Sequence, residues 1–184
     1  MILLQRTPLL NLLPVARRGA RYPGTVRFGD VVRGLPVRDA SAELAYCSHT
    51  LEHLSLDDCR RALRETHRLL RPGGVFRGVL PDLRFLCAAY LAQDAAEPAA
   101  AEAFMRSTHL GIAQTPRGLA RLREWFSRDR HLWMWDFAGM RQELLAAGFI
   151  TVRPARYHDS QHLAFRDVEA PHRWEDALGF EATR

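Results

Sequence analysis

Lysine is absent from this chain. All 26 strongly basic side chains among its 184 residues are arginines, and alanine is abundant, a pattern that points to a coding bias toward GC-rich codons. With 21 acidic residues the formal charge is +5, which taken alone would permit nucleic-acid binding. The arginines, however, alternate with acids along helical stretches instead of clustering with aromatics, which is how a solvated surface reads. Nucleic acid is therefore not an expected partner. Cysteine is scarce: Cys47, Cys59 and Cys87 are odd in number, lack CxxC spacing and sit in apolar contexts, which excludes a disulfide framework and predicts free thiols. No apolar run approaches the roughly 20 residues of a membrane helix. The leucine-rich start, Met1 to Leu13, is broken by Arg6, Pro8 and Asn11 and lacks the layout of a signal peptide. A single cytoplasmic domain without membrane contact is expected, large enough to bury a real core. No internal repeat is visible.

What is present centres on Tyr46 to Asp82. A short apolar run, Glu43 to Cys47, enters Ser48-His49, and Ser55 with Asp57 and Asp58 behind it has the chemistry of a helix start. Leu56, Cys59, Leu63, Thr66, Leu69 and Leu70 recur at three- and four-residue spacing, giving one buried stripe on a helix that runs to about Leu70. Arg71-Pro72-Gly73-Gly74 supplies stop signals, and Val75 to Leu80 is apolar and of strand length, ended by Pro81-Asp82. Strand, helix, strand is the crossover unit of a parallel sheet, and such sheets bind ligands beyond the carboxyl ends of their strands. Here those ends are Ser48-His49 and Pro81-Asp82.

The words SHTLEHL, ALRETHRLLRPGG and VLPDL, with GDVVRGLPVRDASAELAY upstream, resemble class I S-adenosylmethionine-dependent methyltransferases of the methyltransferase type 11 group. The resemblance covers Gly29 to Asp82 and, more loosely, Trp133 to Tyr157. It implies an α/β, Rossmann-like sheet, mostly parallel with an antiparallel last strand. It also implies S-adenosylmethionine as cofactor and transfer of its methyl group to an oxygen or nitrogen of a small-molecule or glycan substrate.

In that family the amino-terminal part supplies a first strand, a glycine-rich turn and a second-strand acid for the ribose hydroxyls. Leu9 to Leu13 fits the first strand, but the chain then reads Leu13-Pro14-Val15-Ala16-Arg17-Arg18-Gly19, and no Asp or Glu precedes Asp30. Residues 1–28 are thus expected to be a truncated or degenerate amino-terminal part, with Thr25 to Phe28 a short strand. Unpaired ribose hydroxyls at about 1 to 3 kcal/mol each, with a filled turn, predict cofactor binding weakened by roughly two to four orders of magnitude, or lost. The alternative function is a catalytically inactive relative, either a domain that binds a partner protein or an incomplete reading frame beginning upstream of Met1. By resemblance Asp30 accepts from the adenine amino group; read from the residues alone, it caps a turn.

His49, Glu52 and His53 share a face if a helix begins at His49. Two imidazoles and a carboxylate suit a divalent metal, and some O-methyltransferases use a related ExxEH word that way, although His49 here replaces the first acid. No metal is assigned; the three donors are expected not to converge on one point. His53 as general base with Glu52 forms the expected catalytic pair, and Asp30, Ser48 and His49 are the cofactor-binding candidates. Asp82, His131, Trp133, Trp135 and Tyr157 are the substrate candidates, the aromatics for contact area, although tryptophans at a loop-to-helix junction also fit core staples. Residues 83–130 read as a helical insertion or lid, with helices over Leu83 to Ala92 and Arg117 to Arg128. Asp136 caps a helix with Met140, Leu144 and Leu145 buried, ended by Ala147-Gly148. Phe149 to Val152 begins a strand, and Asp159 to Arg184 is expected to wrap the surface as a polar tail.

Overall fold

The computed structural model describes residues 29–112 and 130–184. The expectations for residues 1–28 and for a helix over 117–128 lie outside them. In chain order come β1 (Ala42–Ser48), a 3-10 turn at Leu51–His53, α1 (Leu56–Leu69), β2 (Leu70–Pro81), α2 (Leu83–Leu91), α3 (Ala100–Ser107), α4 (Phe137–Ala146), β3 (Thr151–Pro154) and β4 (Ala177–Thr183).

The crossover forms as its residues dictate. Ser55 caps α1, its Oγ accepting from the Asp58 N–H at 3.2 Å, with Asp57 and Asp58 at the positive helix end and His67 and Arg68 at the negative one. Cys59, Ala62, Leu63, Thr66 and Leu69 are buried, and the Thr66 hydroxyl is satisfied by the Ala62 carbonyl at 2.9 Å. Burial pushes the Cys59 thiol up to about 12 and the Cys47 thiol up to about 11, so both are inert at neutral pH. β1 and β2 pair in parallel, Leu44 opposite Val75 through Ser48 opposite Val79. β2 begins at Leu70, five residues before Val75. Leu70 is already extended as it caps α1, and the glycine pair lies inside the strand's irregular start, where the register shifts between Ala42 and Leu44.

The sheet order is β1-β2-β4-β3. β4 runs antiparallel to both β2 and β3, so β1, β2 and β3 share one direction and the last strand alone opposes them. That is the Rossmann-like arrangement, mostly parallel with an antiparallel last strand. One expectation is overturned: 159–184 is not a surface tail. Ala177–Thr183 is an inner strand, with Phe180 and Ala182 fully buried. Its fit is close, since a Cβ on Gly179 would come within 2.3 Å of the Ala155 carbonyl oxygen. Leu145 also differs from expectation, being 36% exposed, because the core side of α4 is carried by Met140 and Leu144.

Phe76 and Phe180 meet edge to face at 5.1 Å, and Phe149 stacks on Phe76 at 5.9 Å. These rings, with Leu63, Leu70, Leu80, Met140 and Leu144, fill the side under α1 and α4. On the opposite side Arg77 is fully buried. It binds Glu169, Asp159 (2.9 Å), Glu181 (3.1 Å) and the Arg156 carbonyl, with its guanidinium 4.6 Å above Trp174. That set holds the segment between β3 and β4 onto the sheet.

Candidate active site

Just past the carboxyl end of β1 the backbone turns sharply: His49 has φ +47°, a left-handed conformation uncommon for a side-chain-bearing residue. Leu51–His53 then forms a 3-10 turn rather than the first turn of a helix starting at His49. The turn buries Glu52, 1% exposed, and leaves both carboxylate oxygens without a hydrogen-bond partner among the described residues. The Leu132 and Trp133 N–H groups both donate to the Glu52 carbonyl, at 2.7 and 3.2 Å. That pair docks the 130–135 segment on the turn and carries His131 to it.

Each imidazole around Glu52 is tied by one ring nitrogen to a backbone carbonyl: His49 Nε2 to Arg173, 2.9 Å, His53 Nδ1 to Arg130, 2.8 Å, and His131 Nδ1 to Thr108, 2.8 Å. A carbonyl only accepts, so each of those nitrogens carries the proton, and in the neutral ring the other nitrogen carries a lone pair. His49 Nδ1 stands 3.4 Å and His53 Nε2 3.9 Å from Glu52 Oε1. One donor atom from each of Glu52, His53 and His131 lies within 4.8 Å of the others. Contact with the Glu52 carboxylate raises the His49 pKa, whereas burial lowers that of His131. His109 packs on His131 with ring centroids 4.9 Å apart.

The other candidates fall in distinct places. Ser48 Oγ is buried and has no partner among the described residues. Asp30 caps its own turn, Oδ1 accepting from the Val32 N–H at 2.9 Å, with Oδ2 3.6 Å from Arg33. Asp82 caps α2 by accepting from the Arg84 N–H at 2.8 Å, and its backbone bridges Trp135. Trp135 is a core residue, 4% exposed, whereas Trp133 is 42% exposed, their rings 6.1 Å apart. Tyr157 stacks on His158 at 3.7 Å, beside the Arg77 network, because the His158 N–H donates to Glu169. Sequence spacing gathered His49, Glu52 and His53; His131 joins them only through the folded chain.

Over residues 10–77 the sequence matches the family described as a methyltransferase domain. The chain resembles class I S-adenosylmethionine-dependent methyltransferases. In this methyltransferase-like chain the matched residues include Asp30, Ser48, His49, Glu52 and His53 and end within β2. No curated protein matches it in sequence. Among solved structures it is similar to an S-adenosylmethionine-dependent methyltransferase from Mesorhizobium loti, at 21% identity over 85% of this chain and 67% of that one, TM-score 0.44. It is also similar to one from Archaeoglobus fulgidus, at 10% identity over 85% and 66%, TM-score 0.46. A third is the methyltransferase SibL in its apo form, at 14% identity over 86% and 35%, TM-score 0.48. The methyltransferase-like chain spans between 34% and 67% of the lengths of the solved chains it resembles. Among its described residues no helix is long and apolar enough to cross a membrane.

Proposed function

We propose that the chain is an S-adenosylmethionine-dependent methyltransferase whose acceptor is a hydroxyl or amine of a small molecule or glycan. The observation that carries this reading is the pairing of buried Glu52 with His53 beyond the end of β1, inside the stretch that matches a methyltransferase domain. Parallel sheets take their ligands at that end. S-adenosylmethionine, when bound, supplies an electrophilic methyl group on a sulfonium. Ser48, whose buried hydroxyl has no partner among the described residues, is the residue best fitted to hold it; His49 and Asp30 are the further candidates, each already engaged by the protein, His49 Nε2 with the Arg173 carbonyl and Asp30 Oδ1 with the Val32 N–H. The lone pair of His53 Nε2 takes the acceptor's proton, and Glu52 steadies the imidazolium that results. Trp133 and His131 border the acceptor side, and much of the rate gain comes from orientation.

The test is calorimetric titration of the chain with S-adenosylmethionine and S-adenosylhomocysteine, then transfer of labelled methyl to a panel of hydroxyl- and amine-bearing small molecules and glycans. Weakened but measurable cofactor binding, as the missing second-strand acid and filled turn predict, and transfer at raised cofactor concentration are expected, with His53→Ala lowering turnover by roughly 10² to 10⁴ while cofactor binding persists. Absence of both binding and transfer at saturating concentrations refutes the reading.

A further inference from the structure

Among the described residues Glu52 receives no hydrogen bond on either carboxylate oxygen; the nearest ring, His49, whose pKa this contact raises, holds Nδ1 3.4 Å from Oε1. A fully buried carboxylate with no hydrogen-bond partner among the described residues is costly to desolvate and persists only where something compensates it. Two of the three rings that face it offer no donor in their neutral form. His53 and His131 each spend their ring N–H on a backbone carbonyl and have a lone pair left to offer. A carboxylate and two imidazole lone pairs are all acceptors and have nothing to exchange with one another; an electron-pair acceptor among them satisfies all three at once.

We propose that Glu52, His53 and His131 bind a divalent first-row transition ion of the zinc type. Three features carry this. The donor atoms lie within 4.8 Å of one another, and an ion about 2.0 to 2.2 Å from each needs them no more than roughly 4.4 Å apart, which small side-chain rotations supply. Two imidazoles and one carboxylate are a donor set that holds such an ion while leaving positions open for a further ligand. Each imidazole is oriented by a backbone carbonyl at 2.8 Å on its far nitrogen, the outer contact that fixes tautomer and ring direction in metal sites. His49 stands behind Glu52 with Nδ1 3.4 Å from Oε1 and flanks the carboxylate from that side.

Binding of the ion does not depend on the methyl-transfer reading. Only its role does: the ion-free chain uses His53 Nε2 as the base, whereas with the ion bound Nε2 is a ligand and the acceptor hydroxyl, its pKa lowered by the ion, sheds its proton to solvent.

The experiment uses the full chain without methyl donor or acceptor. Elemental analysis after purification and calorimetric titration with zinc measure stoichiometry and affinity, and titration with cobalt(II) adds visible absorption from a low-symmetry site. One ion per chain is expected. Glu52→Gln and His131→Ala should each weaken binding by more than about a hundredfold, beyond what loss of an outer contact alone costs, whereas His109→Ala should leave it within a few-fold. Glu52→Gln keeps the side-chain shape, and its thermal midpoint without metal reports whether it folds. Zinc should raise the midpoint of the wild-type chain and leave that of Glu52→Gln unmoved. Absence of stoichiometric zinc or cobalt binding overturns the proposal, as does binding that folded Glu52→Gln and His131→Ala retain. Methyl transfer by a chain that binds no ion leaves the functional reading standing and removes this one.

Discussion

Arg77→Met tests the most heavily committed side chain in the molecule. The substitution keeps the aliphatic volume on β2 and removes the guanidinium. Asp159 and Glu181 do not become isolated, because Arg153 contacts them at 2.9 and 2.8 Å. Glu169 does. Its side chain is fully buried and loses its guanidinium partner, keeping the His158 N–H at 3.0 Å and the His158 ring at 3.9 Å. Removing one member of a buried pair costs about 3 to 5 kcal/mol, chiefly as the desolvation of the charge left behind. For a chain of this size each kcal/mol lowers Tm by about 2 to 4 °C, so a fall of roughly 6 to 20 °C is expected by circular dichroism, with a matching drop in urea midpoint. Arg77→Met with Glu169→Gln removes both charges and should recover at least half of the loss, which a double-mutant cycle reads as coupling. A single-variant loss under about 1 kcal/mol, or a double variant whose losses simply add, would refute the reasoning.

Leu63→Ala empties a fully buried position on α1 and should cost about 2 to 5 kcal/mol in urea denaturation. Gly148 closes α4 at φ +107°, where a Cβ would come within 3.0 Å of His67 Nε2; Gly148→Ala should cost about 1 to 2 kcal/mol, and an unchanged midpoint would contradict it. The Arg68 guanidinium holds the Glu65 carboxyl below its ordinary range, and Arg60 does the same to Glu143. In acid the unfolded chain therefore binds more protons than the folded one. Stability from these pairs is intact above about pH 4.3 and is lost as pH falls through the lowered folded values. Thermal midpoints from pH 7 down to acid should show that decline, and Glu143→Gln should flatten it.

Local signals made the crossover legible. A serine cap, a 3.6-residue apolar stripe and a parallel partner strand are all short-range chemistry, and Ser55, Leu63 and the pairing of Leu44 with Val75 stand where those signals put them. β4 escaped because Ala177 to Thr183 lacks a strand's usual run of branched residues. Its glycine is set by the Ala155 carbonyl and its glutamate by Arg77 and Arg153, neighbours invisible in the local pattern. Arg77 reads as a surface arginine in a strand until the acids that enclose it are folded into place. At the site, His49, Glu52 and His53 were legible as neighbours, whereas a helix starting at His49 was not the outcome: the positive φ there sets a 3-10 turn that points Glu52 inward. His131 had only the signal of a histidine beside two tryptophans, and its position depends on two N–H groups donating to the Glu52 carbonyl.

The placement of β4 also sets the order in which this protein can be made. Val75 finds its antiparallel partner at Thr183, so one whole edge of β2 stays open while the intervening residues leave the ribosome. α1 and β1 can dock on β2 early, through contacts short in sequence, but β3 has no sheet to join until β4 arrives between them. Such late, long-range pairing slows folding and leaves an apolar edge exposed in the nascent chain. The edge of β2 therefore stays unpaired until residues 177–183 have been made.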